Sequence, residues 1–336
     1  MPFTDPTNGA FDYPQQIGRL IDTVEGPLFR NFVRNGDFEI AQRGASFAGI
    51  TTEQYTLDGW KAGHAGTSTV TQESFTVGQT DVPDNPRKFL RLVRSVAAGS
   101  DNVLLENRIE FPERLSGKTV TVSFRAKVAS GTKALVYDFG SSGVTSAVNT
   151  SDNAASVTTT WTLFSAQVAI PAMTAATSGA YLSLRIREAA SFGTFTLDIA
   201  DVQVEEGSEA TRFERLNLET QMRWCQRFLP AIASSGTNHP LGSGMNFSTT
   251  QSKVIVPFPV AARAAITAIS IGAASHFSVL DSGATGVACS GVIFNRGGTT
   301  CCELSTTVAA GLTAGNATNC YFNNASGSIV FTGAEL

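Results

Sequence analysis

Charge is scarce in this sequence, and scarcest towards its end. Asp, Glu, Lys and Arg make up 15% of the 336 residues, well under the usual share of a globular domain. From Ala231 to Leu336 the only ones are Lys253, Arg263, Asp281, Arg296, Glu303 and Glu335, and Ser, Thr, Asn and Gly carry the polarity instead. A surface so poor in charge self-associates unless partner chains cover it, which predicts a homo-oligomer. Basic residues are not in surplus either. The formal net charge of −4 speaks against a phosphate-binding surface, so no nucleic-acid partner is expected. The densest basic group, Arg87 and Lys88 with Arg91 and Arg94, is spaced like the polar face of a strand.

Cysteine is absent from the first 224 residues. The five that follow, Cys225, Cys289, Cys301, Cys302 and Cys320, form no C-x-x-C pair, and His64, His239 and His276 lie far apart in sequence. That spacing speaks against zinc and predicts reduced, structural thiols, with Cys301 and Cys302 on opposite faces of a strand. No apolar run is long enough to cross a bilayer as a helix, because Val254 to Ala274 is broken by Pro257, Pro259 and Arg263; no membrane insertion is expected. The opening Met1-Pro2-Phe3-Thr4 has neither a basic n-region nor an apolar h-region. The expectation is a chain made in a bacterial cytoplasm without a signal peptide.

What is present is β-pattern. Hydrophobic residues make up 42%, enough for more than one core in a chain of this length. Residues 1–30, with Pro2, Pro6, Pro14 and Pro27, read as an extended arm with one short helix around Gln15–Val24, an attachment point for a larger assembly. Residues 31–214 alternate in period two: Val120, Val122, Phe124, Ala126 and Val128 share a face, as do Leu182, Leu184 and Ile186, and Phe195, Leu197 and Ile199 before a register shift to Val202 and Val204. Short strands between Gly, Ser and Asn turns predict a jelly-roll β-sandwich. In residues 215–230 Leu218, Met222, Cys225 and Leu229 fall on one helical face, which Trp224 and Phe228 widen; Asn217 can cap the first turn and Pro230 stops it. Residues 231–336 read as a second small β-domain, suited to oligomerise or form a tip. The fold class is therefore all-β, a sandwich followed by one connector helix and a smaller β unit.

Several segments are similar to those of phage and prophage tail-fibre or spike-like host-recognition proteins. Asn35-Gly36-Asp37-Phe38-Glu39 and the later Gly59-Trp60 resemble the opening of a domain common in them, and the run from Asp198 through Asp201-Val202 to Phe213-Glu214 resembles its close. Trp224-Cys225-Gln226-Arg227-Phe228 resembles their Leu-Cys-Gln-Arg-Tyr helix, and Val279-Leu280-Asp281 with the terminal Ala334-Glu335-Leu336 resembles their carboxy-terminal domain. The first two segments also resemble jelly-roll carbohydrate-binding modules. The resemblance implies a receptor-binding subunit of a phage-like particle, tail fibre or head spike, gene transfer agents included. It would bind bacterial surface or capsular polysaccharide, contact other virion proteins through residues 1–30, and assemble as a trimer, or as a pentamer at a head vertex. It also implies a structural calcium, for which Glu39 and Asp201 occupy the matching places.

Sugar rings are met by flat aromatic side chains beside hydrogen-bonding groups. Trp60, Tyr137 and Trp161 are candidates by type, although a core position is the stronger reading for each; Tyr137, beside Asp138 near the Gly140–Gly143 turn, is the one expected to be most accessible, and Tyr321 to Asn324 offer a second place at the tip. Glycan cleavage needs two carboxylates about 5 to 10 Å apart. Glu106 with Glu110, or Glu205 with Glu206, lie in no recognisable motif, and the expectation is a binding protein, not an enzyme, with a purely structural subunit without ligand as the alternative.

Overall fold

The computed structural model describes residues 29–63, 66–97, 99, 103–189, 192–281 and 286–336. The Gln15–Val24 helix and nearly all of the 1–30 arm lie outside these residues. The described residues form a jelly-roll sandwich, one helix and a second β unit, as the sequence pattern predicts, and that second unit contains a closed barrel, which the pattern does not show.

Two six-stranded antiparallel sheets make the sandwich. The first runs β1 (Ser46–Ile50), β4 (Thr67–Ser74), β5 (Lys88–Val96), β12 (Phe195–Glu206), β7 (Thr119–Val128) and β10 (Thr162–Ala169). The second runs β2 (Gln54–Tyr55), β3 (Trp60–Ala62), β6 (Val103–Glu110), β11 (Ala175–Glu188), β8 (Lys133–Thr145) and β9 (Asn153–Val157). Their inner faces carry the predicted alternation: Val120, Val122, Phe124 and Ala126 of β7 meet Leu182, Leu184 and Ile186 of β11 in one core. A side chain of this kind contributes about 1.5–3 kcal/mol by leaving water. The register shift in β12 is a bulge between Ala200 and Gln203, where Asp201 takes a left-handed φ of 52°. The bulge brings Val202 against Gly36, where a Cβ would stand 2.1 Å from the Val202 carbonyl oxygen.

One basic residue faces the wrong way for the polar face read from sequence. Arg94 points into the sandwich, paired with Glu188, which Lys133 also holds at 2.7 Å. A buried charge persists only with such partners.

The helix α1 (Leu218–Phe228) begins as predicted, the Asn217 side chain accepting from the Thr220 N–H at 2.8 Å. Of the expected stripe, Cys225, Phe228 and Leu229 are buried, whereas Leu218 is half exposed and Gln221 joins the inward face. The polar Gln221 is turned in because its amide donates to Asp37 Oδ2 at 2.7 Å, and Phe228 because the Arg34 guanidinium lies 3.7 Å above its ring.

Beyond the helix, β13 (Ala231–Ala233), β21 (Ser328–Thr332) and β16 (Ala268–Ile271) form a three-stranded sheet. A closed barrel follows the order β14 (His239–Asn246), β15 (Gln251–Pro257), β19 (Cys301–Val308), β18 (Gly286–Gly297), β17 (Phe277–Leu280) and β20 (Ala317–Phe322). Closure leaves no unpaired edge. The strand β14 is not evident from sequence, because Pro240, Gly242 and Gly244 look like turn residues. In the barrel the two glycines are what permits pairing, since a Cβ would stand 2.3 Å from the Ile255 carbonyl oxygen and 1.8 Å from that of Lys253. Cys301 and Cys302 sit on opposite faces of β19, and all five cysteines are free thiols.

Candidate functional site

The three aromatic residues proposed from sequence do not form a sugar platform. Trp60 is 0% exposed, its Nε1 donating to the Asn35 carbonyl at 3.0 Å and its ring 5.1 Å from Phe38. Tyr137 is 2% exposed and sits edge-on to Phe124 at 5.1 Å; burial raises the pKa of its hydroxyl. The alternation of β8 contained this answer, because Leu135, Tyr137 and Phe139 are in phase and all point inward. Trp161 is 9% exposed, packed with Phe75 and Phe89 at 5.4 and 5.6 Å in a satellite cluster on the outer side of the first sheet. At the barrel, Phe322 is core, while Tyr321 is half-buried and lines an open hollow of about 720 Å³.

Glu39 and Asp201 do not fit a calcium site. Both Asp201 oxygens accept from Arg215 Nη2 at 2.9 Å, and Glu39 faces Arg87 at 3.7 Å. Among the described residues no group of three or more acid, His or Cys side chains is placed to hold a metal. The Arg215 guanidinium supplies the positive charge a cation would bring. Asp37 Oδ1 is buried there without a hydrogen-bond partner, as is Oε1 of the Gln221 that donates to Asp37. Burial pushes Asp201 up to about 6 in spite of Arg215, and it raises Asp37 and Glu39 as well.

The carboxylate pairs weighed for hydrolysis are committed elsewhere. Glu106 binds Arg108 at 2.9 Å, and Glu110 binds Arg227 of the helix. Glu205 accepts from the Thr211 N–H at 2.8 Å, and Glu206 pairs with Lys118 at 2.6 Å.

A polar array lies instead on the outer face of the second sheet, where β8, β9 and β11 run side by side. Register sets Arg185 of β11 opposite Asp138 of β8. Arg185 Nε donates to Asp138 Oδ1 at 2.7 Å and its Nη2 to Asn149 Oδ1 at 2.6 Å. Arg187 Nη2 reaches Asp138 Oδ2 at 2.8 Å and also pairs with Asp152. Gly140 is required here: a Cβ would stand 2.8 Å from Arg185 Cζ, so its absence lets the guanidinium lie flat on the strand. Tyr181 stands at the margin, half-buried, with Arg108 Cζ 4.4 Å from its ring centroid.

The rest of this face is covered. Arg108 Nη1 donates to the Leu336 carbonyl at 2.7 Å and Arg263 Nε to that of Ala334 at 2.8 Å, while Arg43 pairs with Glu335 and the Tyr55 hydroxyl donates to Leu336. Residues 334–336 thus lie beside β2, β3 and β6, leaving β8, β9 and β11 open. The open part offers guanidinium edges, the exposed Asn149 and Asp152, and Ser142. Such groups hydrogen-bond hydroxyl-rich ligands. None of these residues is a histidine, and no acid on the face stands apart from a guanidinium as a general acid would.

Comparison with known proteins gives similarity of fold only. No family model and no curated protein matches the sequence. Among solved structures, a family 22 carbohydrate-binding module of Clostridium thermocellum is 14% identical, over 52% of this chain and 100% of its own, at a TM-score of 0.32. A family 11 module of the same organism, in complex with a mixed-linked β-glucan tetrasaccharide, is 8% identical over 49% and 98%, at 0.31. An arabinose-bound α-L-arabinofuranosidase is 16% identical over 65% of this chain and 33% of its own, at 0.36. Likeness at this level says nothing of a ligand.

Proposed function

We propose that this chain is a non-catalytic glycan-binding subunit that meets saccharide on the open face of β8, β9 and β11. The observation that carries the reading is the Arg185–Asp138–Arg187 array. Its side chains are pre-ordered by one another and by Gly140, so little rotamer freedom is lost on binding, and planar guanidinium and carboxylate edges suit the paired hydroxyls of a sugar. The segments similar to tail-fibre and spike-like proteins support the finer reading. In it the subunit belongs to the surface of a phage-like particle, with bacterial surface polysaccharide as its ligand, and residues 1–30 join it to other virion proteins. Homo-oligomerisation through the barrel is supported by its poverty of charge and by the exposed Met245, Phe247, Ile255 and Ile293. Several copies would turn weak single-site contacts into avid attachment.

The test is binding of the purified chain to a glycan array and to whole bacterial cells. Ser142→Trp, which places a bulky side chain on the face without breaking an ion pair, and Asn149→Ala serve as variants. Both are expected to keep the wild-type melting temperature, with Ser142→Trp losing binding altogether. A wild-type chain that labels no glycan and no cell, or a Ser142→Trp variant that binds equally well, overturns the reading.

A further inference from the structure

A second concavity lies where the end of β6 meets the helix. A cavity of about 380 Å³ opens there, at the small end of the range for small-molecule sites. Its walls carry Arg34, Arg108, Arg114 and Arg227 against one carboxylate, Glu110. Glu110 is committed to Arg227, with Oε1 accepting from Nη2 at 3.1 Å, and Arg108 is held by Glu106 at 2.9 Å. Arg34 and Arg114 are the positive surplus.

Arg34 is only 3% exposed, and its Nε is buried with no hydrogen-bond partner. The acids that feel its charge, Asp58 and Glu335, take their hydrogen bonds from Gln42 and Arg43. The Arg34 Nε lies towards Gly59, where a Cβ would stand 3.0 Å from it, so Arg34 lends the cavity its charge, while the exposed Arg114 supplies free donors at the rim.

The aromatic walls give the second half of the recognition chemistry. Phe228 lies under the Arg34 guanidinium, and Trp224 is half-buried beside it. Phe111 has a left-handed φ of 58° with no glycine to ease it, and its ring is exposed, 4.9 Å from Arg114 Cζ. A bulky residue held in that conformation marks a place where the surrounding structure has a use for it.

We infer that this cavity binds a hexuronic acid unit, its carboxylate on Arg34 and Arg114 and its C–H face against Phe111 and Trp224. The planar carboxylate matches a guanidinium fork, and the aromatic walls take the apolar side of a sugar ring. The choice of a sugar as bearer of the carboxylate rests on the glycan-binding reading; the site itself is separate from the β8–β9–β11 face.

The experiment titrates the full chain with a hexuronate-containing disaccharide, its neutral hexose analogue and inorganic phosphate, following tryptophan fluorescence and binding heat. Trp224 is the indole at the cavity, since Trp60 and Trp161 are buried elsewhere. A fluorescence change is expected with the uronate alone. It should vanish in Trp224→Phe and require about tenfold more ligand in Arg114→Gln, a substitution at an exposed side chain that leaves the melting curve in place. No heat and no fluorescence change at millimolar uronate overturns the inference. So does equal response to the neutral analogue or to phosphate, or wild-type response from Arg114→Gln. Ser142→Trp separates the two sites: uronate binding should survive it, and its loss there would assign the ligand to the sheet face instead.

Discussion

The sandwich and the barrel solve the same problem, a closed β-core, with opposite surfaces. The sandwich lays charges in pairs across its sheets: Arg91 with Asp198 at 2.7 Å on the first, Arg185 and Arg187 with Asp138 on the second. The barrel has Arg296 and Lys253 gathered on Glu303 and Asp281 accepting from the Thr313 N–H at 2.7 Å, and for the rest it presents mainly hydroxyls, amides and exposed apolar side chains. Even inside, it pairs hydroxyls, Ser252 with Thr306. Paired charges order a face for a polar ligand, whereas an uncharged face with protruding Phe247 and Ile293 suits contact with another protein surface. The contrast fits the proposed reading, with recognition on the sandwich and association on the barrel.

The largest expected effect breaks the sandwich alone. Phe124 is fully buried between the sheets, so Phe124→Ala should cost about 3–5 kcal/mol. Calorimetry should show the loss confined to one transition, with the barrel's melting unchanged. A single transition that shifts as a whole would show that the ties through Arg43–Glu335 and Arg227–Glu110 weld the two units into one cooperative body.

Next in size is a pH effect at the Asp201–Arg215 pair. Burial raises the folded-state value of Asp201 from 3.8 to about 6, so the folded chain holds this proton more tightly than the unfolded chain. The stabilising contribution is then fully present below about pH 4 and lost as pH rises through about 6, amounting to up to about 3 kcal/mol. Asp201→Asn should lessen the fall in melting temperature between pH 4 and 7, with Asp37 and Glu39, also raised by burial, supplying what slope remains. EDTA should leave the wild-type curve where it is, since Arg215 fills the cation's place; a fall in melting temperature on chelation, restored by calcium, would reverse that conclusion.

A smaller effect tests the barrel. Phe247→Lys with Ile293→Lys adds charge to exposed positions, so the monomer's stability should hold within about 0.5 kcal/mol. Self-association in sedimentation experiments should weaken by about tenfold. Unchanged association would move the contact away from these strands.

How much of this was legible beforehand follows from what each feature depends on. The core of β7, β11 and β12 depends on period-two alternation within single strands, and it is legible down to the shift before Val202. The same rule places Tyr137 of β8 inside, in phase with Leu135 and Phe139. The helix cap is local, hence visible. The face of the helix is not, because Gln221 turns inward for Asp37, a residue 184 positions away. The polar array needed the pairing of β8 with β11, and the Arg34 cavity needed β6 beside the helix. Neither juxtaposition is written in spacing along the chain.

The smallest effect concerns the helix that joins the two regions. Asn217→Ala removes the acceptor for the Thr220 N–H and should cost about 1 kcal/mol. The helix is held to the sandwich by Gln221 on Asp37, and to the barrel side by the Arg263 N–H donating to the Arg227 carbonyl at 2.6 Å. A docked helix of this kind shares its loss between both units, so both melting transitions should move slightly. If only the barrel's transition shifts, the helix belongs energetically to the barrel, and the boundary between recognition and association falls before Leu218, not after Phe228.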